Sequence, residues 1–494
     1  MAQEIMVAGA IYEDVPSVRL PDSDGVFHPF TDTSDTTAVA ADVAEGKLFH
    51  LADGSAVTGT AAGATLVTKS ITANGTYSAE DDNADGYSEV TVNVSGGGGG
   101  GGVDPKDVNF IDYDGTVLHA YTAAEFAALT AMPDNPTHDG LVAQGWNWTL
   151  TDAQGYVADA GTLVIGQMYV TDDGKTRVHV NMPQGRLSPW LSLALNGTAV
   201  VDWGDGTTPD TITGTSTGSA TNVQHTYASA GRYVIAIEVT TGSAVIRSFD
   251  TSATGLLKPQ EGDNSYNTSK VYAYAITGVE LGDRVTLGKS AFMACASMES
   301  VTINQGQPGY DNSMFDSCFS LTGVVLPSHN GSTYSLGGGM FRYCRSMRMA
   351  SLPKECTNAS GTYNFGDCTL LQVPSMPSVF ENVVDGFFNN CSQIRRLVLP
   401  PRCKAVKAYS ISGLSGMTIL VIPARVTSIA NYAGGSLYGL AEIHFKGTTP
   451  PSLSAYSLGS LSTDCKIYVP AGSLAAYTSA SNYPDPATYT YVEE

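Results

Sequence analysis

The stretch Phe292-Met-Ala-Cys-Ala-Ser-Met298, continued by Glu-Ser-Val-Thr-Ile303, decides the fold of this chain because its pattern recurs along the C-terminal half. An aromatic residue is followed by Cys three positions later and by apolar residues at plus six, plus nine and plus eleven. We place the starts of the units at Phe292, Phe315, Phe341, Phe365, Phe388, Ile411 and Leu437. In the last two units, Leu414 and Leu440 take the Cys position.

The starts lie 23, 26, 24, 23, 23 and 26 residues apart. A period of about 20 to 29 residues with one short apolar strand per unit is typical of leucine-rich-repeat solenoids. Each unit of such a stack buries its apolar edge only against its neighbours. We therefore predict a solenoid over 259–494, and its long open surface favours binding over catalysis.

All eight cysteines lie between Cys295 and Cys465, and five of them share one repeat position. These five are Cys295, Cys318, Cys344, Cys368 and Cys391. Strand-like rungs are about 4.8 Å apart, whereas a disulfide needs Cβ atoms about 3.5–4.5 Å apart. We interpret the five as an inward column of free thiols. A metal ladder is the alternative, although no His shares the position and no C-x-x-C occurs. Cys356, Cys403 and Cys465 have no assigned place.

The composition predicts a mostly β, multidomain protein. The chain has 494 residues, of which 15% are charged and 53 are Gly. Residues 1–102 contain 3 Lys/Arg and 15 Asp/Glu, residues 103–275 contain 8 and 18, and residues 276–494 contain 14 and 14. The net charge of −22 is therefore divided into −12, −10 and 0 over the three segments. Because an acidic chain repels phosphate backbones, we expect no nucleic-acid partner.

Export and membrane signals are not evident in the sequence. The opening Met1-Ala-Gln-Glu-Ile-Met lacks the basic and apolar regions of a secretory signal. No apolar run reaches the roughly 18 residues that span a bilayer. We therefore expect no membrane insertion. We expect the protein to be assembled in a bacterial host cytoplasm.

The N-terminal region resembles modules of tailed-bacteriophage structural proteins. The residues that carry the resemblance are Ala41-Asp-Val43, Gly46-Lys47, Gly54 and Val57-Thr-Gly-Thr60, in a predicted short helix followed by a hairpin at Asp53-Gly54. Residues 69–94 look like a second module of the same set. The resemblance implies a virion-docking module over 1–66 and a small β module over 67–95, both contacting other virion proteins. Seven glycines at 96–102 form a flexible linker.

A small α+β domain is predicted over 103–160. It begins with a hairpin around Asp114-Gly115, and Thr122-Ala-Ala-Glu125 is a capping box that starts a short helix. We interpret Trp146 and Trp148 as core or domain-contact residues, with a sugar-stacking platform as the alternative.

Residues 161–258 carry Trp203-Gly-Asp-Gly206, His225-Thr-Tyr227 and Ala230-Gly-Arg-Tyr233. These motifs resemble the polycystic-kidney-disease (PKD) type domain, which implies a separate immunoglobulin-like β-sandwich. Asp202 and Asp205 have oxygens suited to Ca²⁺, but no third acid is in register, so we favour turn and hydrogen-bonding roles. No cofactor is assigned.

The repeats of 259–494 resemble the BspA-like leucine-rich-repeat family of bacterial surfaces and phage proteins. Ile443-His-Phe-Lys-Gly-Thr-Thr-Pro and Ile467-Tyr-Val-Pro look like that family's C-terminal closing unit, which covers the last open edge. An irregular insert at Gly331–Gly339 predicts longer loops on one flank.

Catalytic chemistry is not indicated. Gly214-Thr-Ser-Thr-Gly218 lacks the strand-to-helix elbow of a nucleophile, and Gly282 to Ser290 has five residues between its glycines where a P-loop has four. The eight His are scattered. We therefore expect no enzymatic activity.

Together these features predict a bacteriophage virion surface protein: a tail fibre or receptor-binding appendage that docks by its N-terminus and presents the repeats to a host protein or glycan. The alternative is a capsid-attached head fibre or decoration protein. A bacterial cell-surface adhesin fits less well without an export signal. We expect a homo-oligomer, and phage fibres are commonly trimers. The candidate host-binding residues, chosen because aromatic and Arg side chains dominate recognition, are Tyr310, Tyr334, Arg342, Tyr343, Arg345, Arg348, Tyr363, Arg395 and Arg396.

Overall fold

The structure is a computed structural model of the chain. It describes residues 105–248, 256–259, 272–328, 332–373, 376 and 379–494, together with the backbone of eight short strands between residues 5 and 92. The chain divides into two units, Met1–Gly97 and Gly98–Glu494.

The first unit contains four two-stranded ladders. Three are antiparallel and the fourth, β7 with β8, is parallel. The pairs are β1 (Ile5–Val7) with β2 (Ala10–Tyr12), β3 (Val18–Pro21) with β4 (Phe27–Phe30), β5 (Leu48–His50) with β6 (Ala56–Thr58), and β7 (Leu66–Ile71) with β8 (Gly86–Val92). Strands β5 and β6 flank Asp53-Gly54, as the predicted hairpin requires. The predicted helix after Ala41 and the polyglycine linker lie outside the described residues.

Residues 105–171 form what we call the α+β module. Its elements are β9 (Val108–Ile111), β10 (Val117–Tyr121), α1 (Ala123–Ala127), β11 (Leu141–Trp146), α2 (Leu150–Ala160) and β12 (Leu163–Thr171). The sheet order is β10-β9-β12-β11, with β9 parallel to β12. The capping box is confirmed, since Glu125 N donates to Thr122 Oγ1 and Thr122 N donates to Glu125 Oε2. Our boundary at residue 160 was wrong, because β12 completes this sheet.

Residues 172–302 continue into one eight-stranded sheet of order β15-β14-β16-β13-β18-β20, with β17 beside β14 and β19 beside β16. The strands are β13 (Thr176–Met182), β14 (Trp190–Asp202), β15 (Asp210–Gln224), β16 (Gly231–Ile246), β17 (Leu257–Lys258), β18 (Ile276–Glu280), β19 (Val285–Leu287) and β20 (Ser300–Thr302). Strand β13 pairs with β18, and β18 pairs with the first repeat strand, β20.

The predicted boundary at residue 258 was therefore also wrong. One apolar core runs from Val178 through Trp203 and Phe292 to Tyr477. Backbone ladders and the core both continue across the boundary, so 161–258 is not a separate sandwich but the start of the body that holds the repeats.

The Trp-Gly-Asp-Gly and His-Thr-Tyr motifs meet at one end of this sheet. The Trp203 and His225 rings stack with centroids 4.7 Å apart, and His225 Nε2 lies 2.8 Å from Asp205 Oδ2. Asp202 Oδ1 accepts from Gly204 N, and Asp205 Oδ1 accepts from Thr207 N. The turn and hydrogen-bonding roles predicted for both Asp residues are confirmed.

The C-terminal region is a β-solenoid of about nine turns in the part of the chain that is described. Its strands are β21 (Gly323–Val325), β22 (Tyr334–Leu336), β23 (Met349–Ser351), β24 (Cys356–Ala359), β25 (Asn382–Val383), β26 (Arg396–Val398), β27 (Ala405–Val406), β28 (Ile419–Ile422), β29 (Ser428–Ile429), β30 (Glu442–Phe445), β31 (Ser452–Leu453), β32 (Lys466–Val469) and β33 (Thr490–Glu493), with α3 (Leu474–Thr478) between the last two.

The repeat strands stack on two sides of each turn. One side carries the parallel pairs β21-β23 and β26-β28-β30-β32-β33, and the other carries β22-β24 and β25-β27-β29-β31. The insert at Gly331–Gly339 is therefore partly strand, because β22 pairs with β24. The mostly β fold with a C-terminal repeat solenoid is confirmed.

Stacked phenylalanines fill the solenoid interior. Ring centroids lie 6.0 Å apart from Phe292 to Phe315, 5.6 Å from Phe315 to Phe341, 5.1 Å from Phe341 to Phe365 and 5.7 Å from Phe365 to Phe388. Apolar surface is removed from water at every rung, and the parallel strand register holds the rings in line.

The cysteine column is confirmed as free, buried thiols. Cys318 Sγ donates to Phe292 O over 3.1 Å, and Cys344 Sγ donates to Phe315 O over 3.2 Å. Cys368 and Cys391 repeat the contact with Phe341 and Phe365. Each thiol thus satisfies a carbonyl of the preceding turn.

Two of the unplaced cysteines share a second repeat position. Cys356 N donates to Pro353 O and Cys403 N donates to Pro400 O, and Val426 makes the same bond to Pro423. A Pro-x-x-Cys turn therefore closes two of the repeats. Cys465 is also buried and follows an equivalent turn from Ser462.

The last predicted unit was out of register by three residues. Strand pairing aligns Leu420 with Ile443 and Ile422 with Phe445. Leu437 consequently takes the Cys position, and Gly434 stands where other units have an aromatic residue. The sequence itself favours the corrected alignment. Counting from Leu437 places Lys446 and Thr448 at plus nine and plus eleven, whereas counting from Gly434 places Ile443 and Phe445 there.

The α+β module docks on the solenoid along β21 and β23. Val324 faces the solenoid core, whereas its neighbour Val325 packs with Ile111 and Val164 of the module. The contact is close, since a Cβ on Gly166 would lie 2.5 Å from both methyls of Val325. The strand side of these repeats is therefore covered.

Polar bonds complete this docking. Asn147 Nδ2 donates to Leu326 O and to Ser351 Oγ, each over 2.9 Å. Trp148 Nε1 donates to Leu352 O over 3.0 Å. Trp146 packs inside the module, 4.9 Å from the Phe110 ring. The core and domain-contact roles predicted for the two tryptophans are confirmed.

Candidate ligand-binding face

The third side of each solenoid turn is a hydrogen-bonded bend that we call the turn face. It runs from two residues before each inward aromatic to four residues after it. Two positions per turn, four residues apart, adopt left-handed backbone: Ser313 and Ser317 at φ 55° and 64°, then Tyr363 and Asp367 at 57° and 62°. Such angles are uncommon for residues with a Cβ.

Bonds between successive turns hold this backbone in place. Ser313 N donates to Gly338 O, Phe315 N to Met340 O and Ser317 N to Arg342 O, and later turns repeat the pattern. The Phe between the two left-handed residues points inward, and the residue before it and the Cys three positions after it are buried as well. Outward positions are therefore chiefly the left-handed residues and the residue four positions after the Phe. The turn face is therefore a rigid array with columns of outward side chains.

An arginine and aromatic cluster occupies the middle of the turn face. The Arg342 Cζ atom lies 4.5 Å from the Tyr343 ring centroid and 5.5 Å from that of Tyr363. Arg342 Nη2 donates to Tyr343 Oη over 2.7 Å. The Arg345 Cζ atom lies 5.3 Å from the Phe319 centroid and 5.8 Å from that of Tyr343. These are cation–π distances.

Four of the nine predicted residues meet in this cluster: Arg342, Tyr343, Arg345 and Tyr363. Arg348 is exposed beside β23. Arg395 and Arg396 are exposed at β26, where Arg395 Nη1 donates to Gly416 O.

The other two predicted residues pack against the main core. Tyr310 is buried, 5% exposed, and the partly buried Tyr334 ring lies 4.7 Å from it. Burial raises the pKa of both hydroxyls. The assignment of Tyr310 to a binding surface was wrong, because its side chain is buried in the core.

Sequence reasoning missed a column of exposed tyrosines farther along the turn face. Rings of Tyr409, Tyr432 and Tyr456 stack at 5.8 and 5.4 Å, within 5° of parallel. They are 42%, 43% and 59% exposed. Tyr409 lies two residues before an inward repeat residue, as Tyr363 does, and this shared offset is the signal that would have revealed the column.

Tyr363 extends the column toward the arginine cluster. A Cβ on Gly386, the equivalent residue of the next turn, would lie 2.5 Å from Tyr363 ring atoms. The Tyr363 ring therefore covers the Gly386 rung.

A separate groove of ≈ 1080 Å³ lies beside β13, β16 and β18, lined in part by His179, Arg232 and Tyr274. His179 Nε2 is 3.3 Å from Glu280 Oε1.

Within the described ranges, no three His, Cys, Asp or Glu side chains converge as a metal site would need. The helices described there are too short or too polar to cross a membrane.

The stacked turns, the two strand ladders and the open turn face define a leucine-rich-repeat solenoid in the C-terminal region. More particularly, residues 269–374 and 311–441 match the BspA type leucine-rich repeat region, in six copies. No curated protein matches the chain.

Solved structures with similarity to the chain include two leucine-rich repeat proteins and a vaccine antigen. A leucine-rich repeat protein from Bacteroides ovatus is 15% identical over 46% of this chain and 74% of its own, with a TM-score of 0.29. The pneumococcal vaccine antigen PcpA is 19% identical over 42% and 65%, with a TM-score of 0.29. The leucine-rich repeat protein of T. pallidum is 18% identical over 42% and 84%, with a TM-score of 0.28.

Proposed function

We propose that this protein is an adhesin whose turn face binds a host surface, carried on a bacteriophage particle as a tail fibre or other receptor-binding appendage. The observation that carries the binding role is the placement of exposed aromatic residues. Phe319, Tyr409, Tyr432, Tyr438 and Tyr456 all lie on the turn face. Aromatic and Arg side chains dominate recognition surfaces, and a rigid backbone lowers the entropy lost on binding.

The location on a virion rests on the resemblance of 41–60 and 69–94 to phage modules. In this proposal residues 1–95 dock to other virion proteins, the glycines at 96–102 give reach, and the chain forms a homo-oligomer without catalytic activity. A head fibre would use the same parts, and particle images with a label on residues 103–494 would distinguish capsid from tail attachment. A bacterial surface adhesin would instead place the chain in a cell envelope.

Binding to intact cells tests the central claim. Full-length protein carrying a fluorophore is mixed with bacteria, and the bound fraction is compared with that of Tyr409→Ser/Tyr432→Ser/Tyr456→Ser. The matched control is Tyr274→Ser, because Tyr274 is 43% exposed on a different face. We expect the triple variant to lose binding and the control to keep it. Equal binding by both variants, or no binding to any host strain, would refute the proposal.

A further inference from the structure

The arginine and aromatic cluster places positive charge at the surface of a chain whose net charge is −22. No ion pair within 4 Å joins Arg342, Arg345 or the neighbouring Arg348 to a carboxylate among the residues that the structure describes. Lys354 and Lys404, by contrast, each have such a partner. The Asp316 carboxylate interacts electrostatically with Arg342, but it is only 8% exposed and accepts a hydrogen bond from Ser317 Oγ, so it leaves Arg345 free at the surface.

Cation–π contacts orient the Arg345 side chain at the surface. Its guanidinium lies within cation–π distance of both Phe319 and Tyr343, while the side chain itself is exposed. Stacking uses the faces of a guanidinium and leaves its N–H groups free to donate. Arg342 bonds to the Tyr343 hydroxyl and so fixes the ring between the two arginines.

We propose that this cluster binds a sugar polymer that carries carboxylate or phosphate groups, with Arg345 donating to the anion. Both anions accept paired N–H bonds from a guanidinium. The Phe319 ring, which is 39% exposed, provides apolar contact for a sugar ring.

The rest of the turn face favours a glycan over a protein. The surface side chains next to the column are short and polar, and the set comprises Asn389, Asn390, Ser392, Ser412, Ser415 and Ser436. Protein interfaces have an apolar core, whereas a hydroxyl-rich polymer needs many hydrogen-bonding groups. The turns also repeat the same positions, which suits a ligand that repeats.

The proposal rests on the proposed adhesin role, but direct binding tests it separately. Full-length protein is titrated with polygalacturonate as the carboxylate probe, purified ribitol-phosphate teichoic acid as the phosphate probe, and neutral amylose. We expect saturable binding of at least one acidic polymer, weakened by salt, and none of amylose. Arg345→Gln should weaken binding about tenfold, since it removes a charged hydrogen bond.

Arg425→Gln is the matched control, because it removes the same charge from an exposed residue in the turn before β29. Arg345→Lys keeps the charge but loses the planar fork, and it should bind with intermediate affinity. Equal weakening by Arg345→Gln and Arg425→Gln, or equal affinity for amylose, would overturn the proposal. Cell binding that survives periodate but not protease treatment would do so as well, by assigning a protein receptor, and would leave the adhesin role intact.

Discussion

Asn147 is the residue on which the docking of the α+β module depends most directly. Its side chain is 1% exposed and bonds in both directions across the contact. Nδ2 donates to Leu326 O and Ser351 Oγ of the solenoid, while Oδ1 accepts from Gly166 N of the module over 2.9 Å. Replacing Asn147 with Leu keeps the branching at Cγ and removes every one of these bonds.

The expected loss of docking free energy follows from the polar groups that the substitution leaves without a hydrogen-bond partner. Gly166 N and Leu326 O both stay buried without the amide partner, and each unsatisfied group costs about 1–3 kcal/mol. Ser351 Oγ still donates to Val164 O over 2.8 Å, so it adds little. We expect Asn147→Leu to destabilise the docked state by about 4 kcal/mol.

Asn109→Leu provides the matched control. Asn109 is also fully buried, but its amide bonds only to the backbone of Lys106 in the same module. Hydrogen exchange then distinguishes the two variants. Asn147→Leu should expose amides of both β12 and β23, whereas Asn109→Leu should leave β23 protected. The same exchange pattern in both variants would refute the idea that the amide of Asn147 couples the module to the solenoid.

Three further predictions concern the solenoid. Phe341→Ala removes a fully buried ring stacked on both sides and should lower the free energy of unfolding in urea by about 3–5 kcal/mol. Tyr409→Ala in the exposed column should lower it by under about 1 kcal/mol. Similar losses in the two variants would contradict the packing described. Burial raises the pKa of Cys403 to about 11 and also raises that of Cys318. A thiol reagent should therefore label neither until urea unfolds the chain, and rapid labelling of the native protein would show that the thiols are accessible. Burial disfavours the charged form of Glu494, but hydrogen bonds from Lys446 and His444 outweigh this effect and lower the pKa of the carboxyl. A lowered pKa stabilises the folded state at pH above the ordinary Glu value, and this stabilisation is lost as the pH falls through the folded-state pKa. Amide protection of β33 should therefore decline below about pH 4 in the wild type and less steeply in Lys446→Met.

Local pattern predicted much of the fold. The Phe and Cys columns, the capping box at Thr122 and the hairpin at Asp114-Gly115 all depend on residues close in sequence. Prediction failed where the aromatic start of a unit is missing. Gly434 takes that position in the last unit, and counting from Leu437 shifted the unit by three residues. Part of the candidate site was predicted from the sequence, since Arg342, Tyr343, Arg345 and Tyr363 were selected by residue type. Type alone also selected the buried Tyr310.

The sequence by itself determined the repeat period, the residues that point inward and the reduced state of the thiol column, because these follow from spacing within a single turn. Only the tertiary structure decided which side of the stack stays open. Strand β12 completes the module sheet and places Gly166 against Val325, 159 residues away, and β18 joins the central sheet to the first repeat. Those contacts depend on complementary surfaces far apart in the chain, and they cover the strand side of the repeats at β21 and β23 while leaving the turn face for a ligand.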